Sequence, residues 1–359
     1  MTEHVIVKPE KLVATAIGML EEELIVPALF QREGYDQFKG AKDDTVSVAV
    51  EGVLPFHDYE WRSGSAGSTT PGTRQRVTFD EYAERKIAVT FGGNVYNGVR
   101  LTDEQSEMDL TGWGKLLRPQ VKAVARGLSR RAVSTLESQT YNVTIGNAEG
   151  NLRGALVEAR RVLNNFHAPD GDRILLVGSD FEAALLNDDK LSLAQNSGDD
   201  IAKTVMETAT LGRRSGFRIV VDQTIAPTAA YAFASSAFVM VTGAPAVPGS
   251  VPFGATQSFE GYALRWLRDY DSEYFQDRSV VNTYAGFREV KDVLVGWDKV
   301  NETEIVSAGE HFVRGIKLNL TGPSDYPAAA SELATITGVS DASVWTPTGR
   351  MTEADPANV

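Results

Sequence analysis

Between residues 9 and 24, Leu12, Val13, Ala16, Ile17, Leu20 and Leu24 recur at helical spacing. Pro9 suits the first turn of that helix and Pro27 ends it. Thr45 to Val50 alternates instead, with Val46, Val48 and Val50 on one side, and predicts a strand. A second strand-like run, Lys86 to Phe91, follows much later. The connection contains Gly64-Ser65-Ala66-Gly67-Ser68-Thr69-Thr70-Pro71-Gly72, which has no apolar side chain larger than alanine apart from proline. Two arms of roughly 20 residues at about 3.3 Å each would reach about 60 Å. A compact chain of this length has a radius of gyration of only about 21 Å. The hairpin must therefore project beyond its own core, and a lone two-stranded ribbon needs something to lie on.

Residues 103–139 carry the strongest helical pattern, with Leu117, Val121, Val124, Leu128, Ala132 and Leu136 as the buried stripe. Pro119 is expected to separate a short helix from the main one. From Gly150 helix and strand alternate. Leu152, Leu156, Ala159, Val162 and Leu163 mark a helix, and Pro169-Asp170-Gly171-Asp172 marks a turn. Arg173–Val177 reads as a short buried strand, and Ser179 or Asp180 is placed to cap the helix that runs to Leu186. Strands are expected at Phe217–Val221 and across Tyr231–Val241, and Pro245, Pro248 and Pro252 read as a boundary. Two antiparallel strands, Phe259–Tyr270 and Arg278–Tyr284, flank Asp271-Ser272-Glu273. Beyond about Gly296 periodicity fades except at Phe312–Leu320, and Ala, Ser, Thr and Pro dominate. Residues 301–359 are expected to be ordered by contacts between subunits.

The 359 residues are 42% hydrophobic and 23% charged, enough for a real core. No run of about 18 apolar residues is present, so no membrane-spanning helix is expected. Met1-Thr2-Glu3-His4 lacks the basic start of a secretory signal, and the Asn-x-Thr triplets at Asn142, Asn301 and Asn319 read as chance. Cysteine is absent, which removes disulfides and thiol chemistry. His4, His57, His167 and His311 are far apart, with no second histidine at ligand spacing. Gly93-Asn94-Val95-Tyr96-Asn97-Gly98-Val99 begins like a phosphate loop, but Val99 stands where lysine is required, so it reads as a turn. Asp269 and Asp271 could pair on a cation but fall at an expected hairpin turn. No catalytic, cofactor or metal site is expected.

With 35 basic and 48 acidic residues the net charge is −13, which argues against a dedicated nucleic-acid reader. One basic strip departs from that balance. From Thr111 to Leu136 there is no Asp or Glu, and Arg118, Lys122, Arg126 and Arg130 are spaced by four to form one ridge. Like charges at that spacing repel. A solvated face, an acidic segment such as Glu21, Glu22 and Glu23 on the arm, and nonspecific contact with nucleic-acid phosphate each answer it.

The order of arm helix, long hairpin, long helix, α/β insertion and returning antiparallel strands resembles the tailed-bacteriophage major capsid protein family, of Hong Kong 97-like fold. The likeness rests on three stretches. Lys86–Thr102 running into Leu116–Ala125 is similar to an extended-loop strand entering a spine helix. Leu152–Phe166, Arg173–Leu186 and Gly212–Val221 resemble an axial domain, and Arg278–Arg288 resembles the return of a peripheral domain. The resemblance implies an α+β chain with an N-terminal arm (1–42), an extended β-hairpin loop (43–92) and a peripheral domain with spine helix (93–145). An α/β axial domain (146–255), returning peripheral strands (256–300) and a C-terminal extension (301–359) follow. The loop tip, Gly64, Gly67, Pro71 and Gly72, is expected to lie on a neighbouring subunit.

It further implies a non-enzymatic subunit that assembles with itself into hexamers and pentamers of an icosahedral shell around double-stranded DNA. The subunit would be made in the host cytoplasm and end in the virion. Separate scaffolding, portal and decoration proteins are the expected partners, with nonspecific DNA contact and no membrane. Residues 43–85 contain no lysine, so the loop crosslink of some relatives is not expected. The alternatives are an encapsulin-type bacterial compartment shell, which shares the fold, and a cytosolic α/β enzyme, suggested only by residues 150–245.

Overall fold

Alternating strands and one apolar helix stripe arrange the described residues as two six-stranded sheets that share a core under one long helix, with two further two-stranded ribbons. The structure, a computed structural model, describes residues 24–33, 45–50, 54–57, 77, 79–80, 82, 85–90, 93–108, 113–188, 212–251, 253–259, 262–298, 303–343 and 345. The arm helix expected over 9–24 lies outside the described residues, apart from Leu24.

A 3-10 turn at Pro27–Leu29 leads to β1 (Gln31–Glu33). The hairpin arms are β2 (Thr45–Val50) and β3 (Arg85–Thr90), and β4 (Asn94–Thr102) follows. Gly93 turns the chain between them at φ 94°, so the stretch expected to be a turn is the start of a strand. Next come α1 (Asp103–Met108) and α2 (Trp113–Ser138). Pro119 lies inside α2 instead of dividing it. The proline is exposed, and burial of Leu117 and Val121 on either side offsets the lost backbone bond, a cost of about 3 kcal/mol.

After β5 (Thr144–Ile145) come α3 (Leu152–Asn165), β6 (Arg173–Val177) and α4 (Ser179–Asn187). Neither Ser179 nor Asp180 caps α4. Gly178 holds the cap position, and the free amides of Asp180 and Phe181 both donate to the Pro227 carbonyl at 3.1 Å. A carbonyl from a distant loop therefore does the work of a side-chain cap. The remaining strands are β7 (Arg213–Arg214), β8 (Phe217–Val221), β9 (Ala229–Ala234), β10 (Phe238–Gly243), β11 (Phe253–Phe259), β12 (Tyr262–Asp271), β13 (Gln276–Glu289), β14 (Val295–Asp298), β15 (Thr303–Val306) and β16 (Gly315–Asn319), and α5 spans Glu332–Thr337.

One sheet runs β1-β10-β13-β12-β11, with β4 on the other flank of β13. Asn282 pairs with both Arg265 and Tyr96, and Tyr284 with both Gly243 and Asn94, so β12 and β10 share one edge of β13 and β4 takes the other. The second sheet runs β5-β16-β9-β6-β8-β7. Its strand β6 is buried throughout because both faces are covered. Ile174 and Leu176 join the core under α2, while Leu175 and Val177 join the core under α3 and α4.

The stretch Tyr231–Val241, expected to be strand without a stated break, divides between two strands in different sheets. A 3-10 turn at Ser235–Ala237 carries the chain from one sheet to the other. The unit expected at 146–255 thus has its last strand of the second sheet before Ser235 at β9, and Pro245 and Pro248 lie in the connection between β10 and β11 of the first sheet. The second correction concerns the C-terminal segment, expected to be ordered between subunits. β16 sits between β5 and β9 of its own chain, and Phe312, Ile316, Leu318, Tyr326, Leu333 and Trp345 are buried there. Arg314 ties this return to the turn between sheets, bonding Asp292 through Nη2 at 2.6 Å and the Ser236 carbonyl at 3.1 Å. Glu158 accepts from Arg161 at 2.7 Å and from the Tyr326 hydroxyl at 3.2 Å. Burial, then that carboxylate, pushes the Tyr326 hydroxyl pKa far up, so it stays a donor.

Candidate functional site

The expected stripe of α2 is buried from Leu117 to Leu136, which turns the ridge residues to the opposite side. Arg118, Arg126 and Arg130 are exposed, Lys122 is half-buried, and Arg131 bends away to bond the Gly93 carbonyl at 3.2 Å. Among the described residues Arg118, Arg126 and Arg130 have no ion-pair or hydrogen-bond partner. The structure therefore brings the ridge together on one face of α2, with Arg118, Arg126 and Arg130 unpaired among the described residues. The arm acids Glu21, Glu22 and Glu23 lie outside the described residues, as do the loop-tip positions Gly64, Gly67, Pro71 and Gly72.

The base of the long hairpin is described. β2 and β3 pair from Thr45↔Thr90 to Val50↔Arg85, leaving residues 51–84 between them. Phe56 stacks on Trp297 with centroids 5.8 Å apart, and its amide donates to Glu304 Oε2 at 2.8 Å. His57, for which Glu60 is the near acid in sequence, instead meets Asp80 on the other arm at 2.8 Å. Val77 and Tyr82 are more than half exposed and Phe79 is 89% exposed, three apolar side chains that no described residue covers.

At the hairpin between β12 and β13 the sequence expectation captured the turn but missed its character. Asp269 and Asp271 do not face an open cation site, because the Arg278 guanidinium lies between them, at 2.6 Å from Asp269 and 3.3 Å from Asp271. Beyond that pair the tip presents Tyr274, 69% exposed, and Phe275, 67% exposed. Phe275 has φ 47°, a region that bulky side chains rarely enter. Beside the tip, the Tyr270 hydroxyl donates to Asp103 Oδ2 at 2.9 Å, a bond that raises the tyrosine pKa. Two adjacent aromatics inside a polar turn were the available signal for this tip.

His311 rests on Glu332 at 3.3 Å, and His167 sits at φ 55° just after α3. No group of three or more His, Asp or Glu among the described residues is arranged to hold a metal ion. No helix among them is long and apolar enough to cross a membrane. Among the described residues the surface presents the exposed Arg118, Arg126 and Arg130 of α2, the exposed Val77, Phe79 and Tyr82 of the hairpin, and the aromatic tip.

The sequence model of the phage capsid protein family matches residues 96–281, from β4 through the middle of β13. The chain belongs to that family. Among solved structures it is similar to a protein of Mycobacterium phage Che8, with TM-score 0.57 and 16% identity over 83% of this chain and 92% of that one. It is similar also to a chain of the capsid of cyanophage P-SCSP1u, with TM-score 0.53 and 10% identity over 82% and 88%. A chain of the mature capsid of bacteriophage PhiM1 gives TM-score 0.51 and 11% identity over 82% and 86%. No match is found among curated protein sequences. The fold is Hong Kong 97-like, and the protein is a major capsid protein that assembles with itself into the shell of a virion. Family membership favours this structural role over a compartment shell or an α/β enzyme.

Proposed function

We propose that the chain builds an icosahedral shell of hexamers and pentamers around double-stranded DNA, with residues 50–85 of each copy lying across a neighbour. The observation that carries this reading is the uncovered hairpin. Phe79, Val77 and Tyr82, in the irregular stretch that leads into β3, are exposed. A second copy provides the cover, with the tip at Gly64, Gly67, Pro71 and Gly72 over it. The ridge of Arg118, Lys122, Arg126 and Arg130 answers carboxylates within the shell. Glu21, Glu22 and Glu23, three to one residues before the buried Leu24, are one source of them. With a net charge of −13 the subunit has acids to spare, and its wall is expected to hold DNA only by nonspecific contact. Separate scaffolding, portal and decoration proteins complete the particle, and the subunit is made in the host cytoplasm.

Electron microscopy of the purified protein tests this directly: closed shells are expected, and small oligomers alone would overturn it. Deleting residues 60–76 is expected to leave a soluble, folded subunit that forms no stable shells. Normal, heat-resistant particles from that deletion would remove the hairpin from the account.

A further inference from the structure

The tip of the β12–β13 hairpin is costly to a free subunit. Tyr274 and Phe275 keep about two thirds of their surface in water, and Phe275 holds a left-handed backbone that asparagine or glycine would adopt with less strain. Acids surround the pair. Asp103 and Glu104 open α1 and are held beside the tip by the Tyr270–Asp103 bond, and Glu273 lies in the turn itself. The neighbouring Asp269 and Asp271 are already committed to Arg278. The Glu104 and Glu273 carboxylates make no hydrogen bond or ion pair with any described residue.

The complement to an aromatic knob with an acidic rim is a row of guanidinium groups. Planar guanidinium stacks on aromatic faces and pairs with carboxylates at once. Arg118, Arg126 and Arg130 form such a row, exposed and unanswered among the described residues. A chain's own tip cannot serve its own ridge. Gln120 of α2 bonds Ser279 of β13, while Gly127 lies against Val95, whose β13 partner is Thr283. The helix therefore runs along β13 away from the tip, and the ridge faces away from the sheet.

We infer that the β12–β13 tip of one copy docks on the outer face of α2 of a second copy, with Tyr274 and Phe275 against the Arg118–Arg130 row and Glu104 and Glu273 pairing its charges. This rests on the shell reading and assigns the ridge to carboxylates of the tip instead of Glu21, Glu22 and Glu23 of the arm. The sequence pattern supports the division of labour: the helix face is kept free of acid over Thr111–Leu136, and the acids gather at the tip that must meet it.

The first test is the pair Tyr274→Ser and Phe275→Asn. The free subunit should unfold at the same temperature or higher, because strain and exposed aromatic surface are both removed. The concentration needed for shell assembly should rise about tenfold or more. The second test is charge exchange. Arg126→Glu with Arg130→Glu should abolish shells, and adding Glu104→Lys and Glu273→Lys in the same chain should restore them. An unchanged assembly threshold for the aromatic pair overturns the inference. So does rescue by lysine at Glu21, Glu22 and Glu23 instead, or rescue by neither set. Normal empty shells that merely lose DNA from the ridge variant would assign the ridge to nucleic acid and overturn it too. Wild-type protein that forms no shells at all would overturn the shell reading itself, which separates the two failures.

Discussion

Gln120 and Ser279 exchange two hydrogen bonds in the interior between the long helix and its sheet. The Gln120 amide donates to the Ser279 carbonyl at 3.0 Å, and the Ser279 hydroxyl donates back to Gln120 Oε1 at 2.9 Å. The Trp266 indole N–H donates to the same hydroxyl at 2.9 Å. All three side chains are buried, so each donor and acceptor depends on the others. Ser279→Ala leaves the indole N–H and the glutamine oxygen unpaired and should cost about 1–3 kcal/mol in urea denaturation of the unassembled subunit. Gln120→Leu combined with Ser279→Ala should cost less than the sum of the two singles. Additive losses would mean that the network does not act as a unit.

Gly178 is where β6 passes into α4 beneath the loop that caps the helix. A Cβ there would stand 2.4 Å from the Ala226 carbonyl oxygen and 2.6 Å from that of Pro227. Gly178→Ala should therefore push away the carbonyl that holds the first turn of α4, at a cost of about 1–3 kcal/mol. Gly171→Ala is the control, since a Cβ at Gly171 meets nothing within 4 Å. Equal stability of the two variants would show that the loop yields freely.

Glu332 fastens α5 to the segment before β16. It accepts from the Ala308 amide and lies 3.3 Å from His311 Nε2, and the Ala308 bond above all lowers its pKa below the ordinary 4.5. A depressed carboxylate stabilises the fold above its unfolded pKa and loses that contribution as pH falls through the folded value. The unassembled subunit should therefore lose stability as pH falls below the ordinary carboxylate range, part of it through this carboxylate. Glu332→Gln should be less stable near neutrality and show a shallower acid decline in thermal unfolding. Parallel curves for the two proteins would rule this contribution out.

Much of this fold is written locally, and the exceptions share one cause. β6 and β8 appear in the sequence to the residue because short apolar runs bounded by turns leave little choice. The α2 stripe and the ridge opposite are likewise matters of spacing along one helix. Ser235–Ala237 was missed because Ala229 to Gly243 is apolar on both sides of the turn, and only pairing partners distinguish the two sheets. The cap of α4 was misassigned because the group that caps it, the Pro227 carbonyl, is remote in sequence. In the C-terminal segment Phe312, Tyr326, Leu333 and Trp345 are too far apart to show a period, yet each is buried. Exposure of Tyr274 and Phe275 is a tertiary property, so the tip could be read as a turn but not as a surface.

The return of that C-terminal segment makes its own prediction. β16 bonds β9 from Gly315↔Phe233 to Asn319↔Ala229, inside the second sheet of the same chain. Amides of residues 315–319 should exchange slowly in free subunits and change little on assembly. Protection that arises only in shells would restore ordering between subunits as the explanation.

β3 at the base of the extended hairpin is packed into the subunit through Val89, which is buried with Val239, Val241 and Val290, and beyond that base Phe56 makes two weaker contacts that are testable. Phe56 stacks on Trp297 at an interplanar angle of 12°, and its amide donates to Glu304 on β15. Both rings are about half exposed, so the stack contributes about 0.5–1.5 kcal/mol. Trp297→Ala should therefore change the overall stability of the subunit by no more than about that amount. Its local effect should be larger, because residues 54–57 have few other attachments. The Phe56 amide should exchange up to about tenfold faster. If the loop lies over a neighbour as proposed, it is aimed by its attachment to the subunit, and a small change of angle there is magnified along the arm. Shells of Trp297→Ala should therefore lose heat resistance out of proportion to the subunit's own loss. Glu304→Gln, which keeps an acceptor for the Phe56 amide, should leave both measurements near wild type. If Trp297→Ala shells melt at the wild-type temperature while the Phe56 amide is freed, the direction of the hairpin is set by the neighbour it covers and not by its own base.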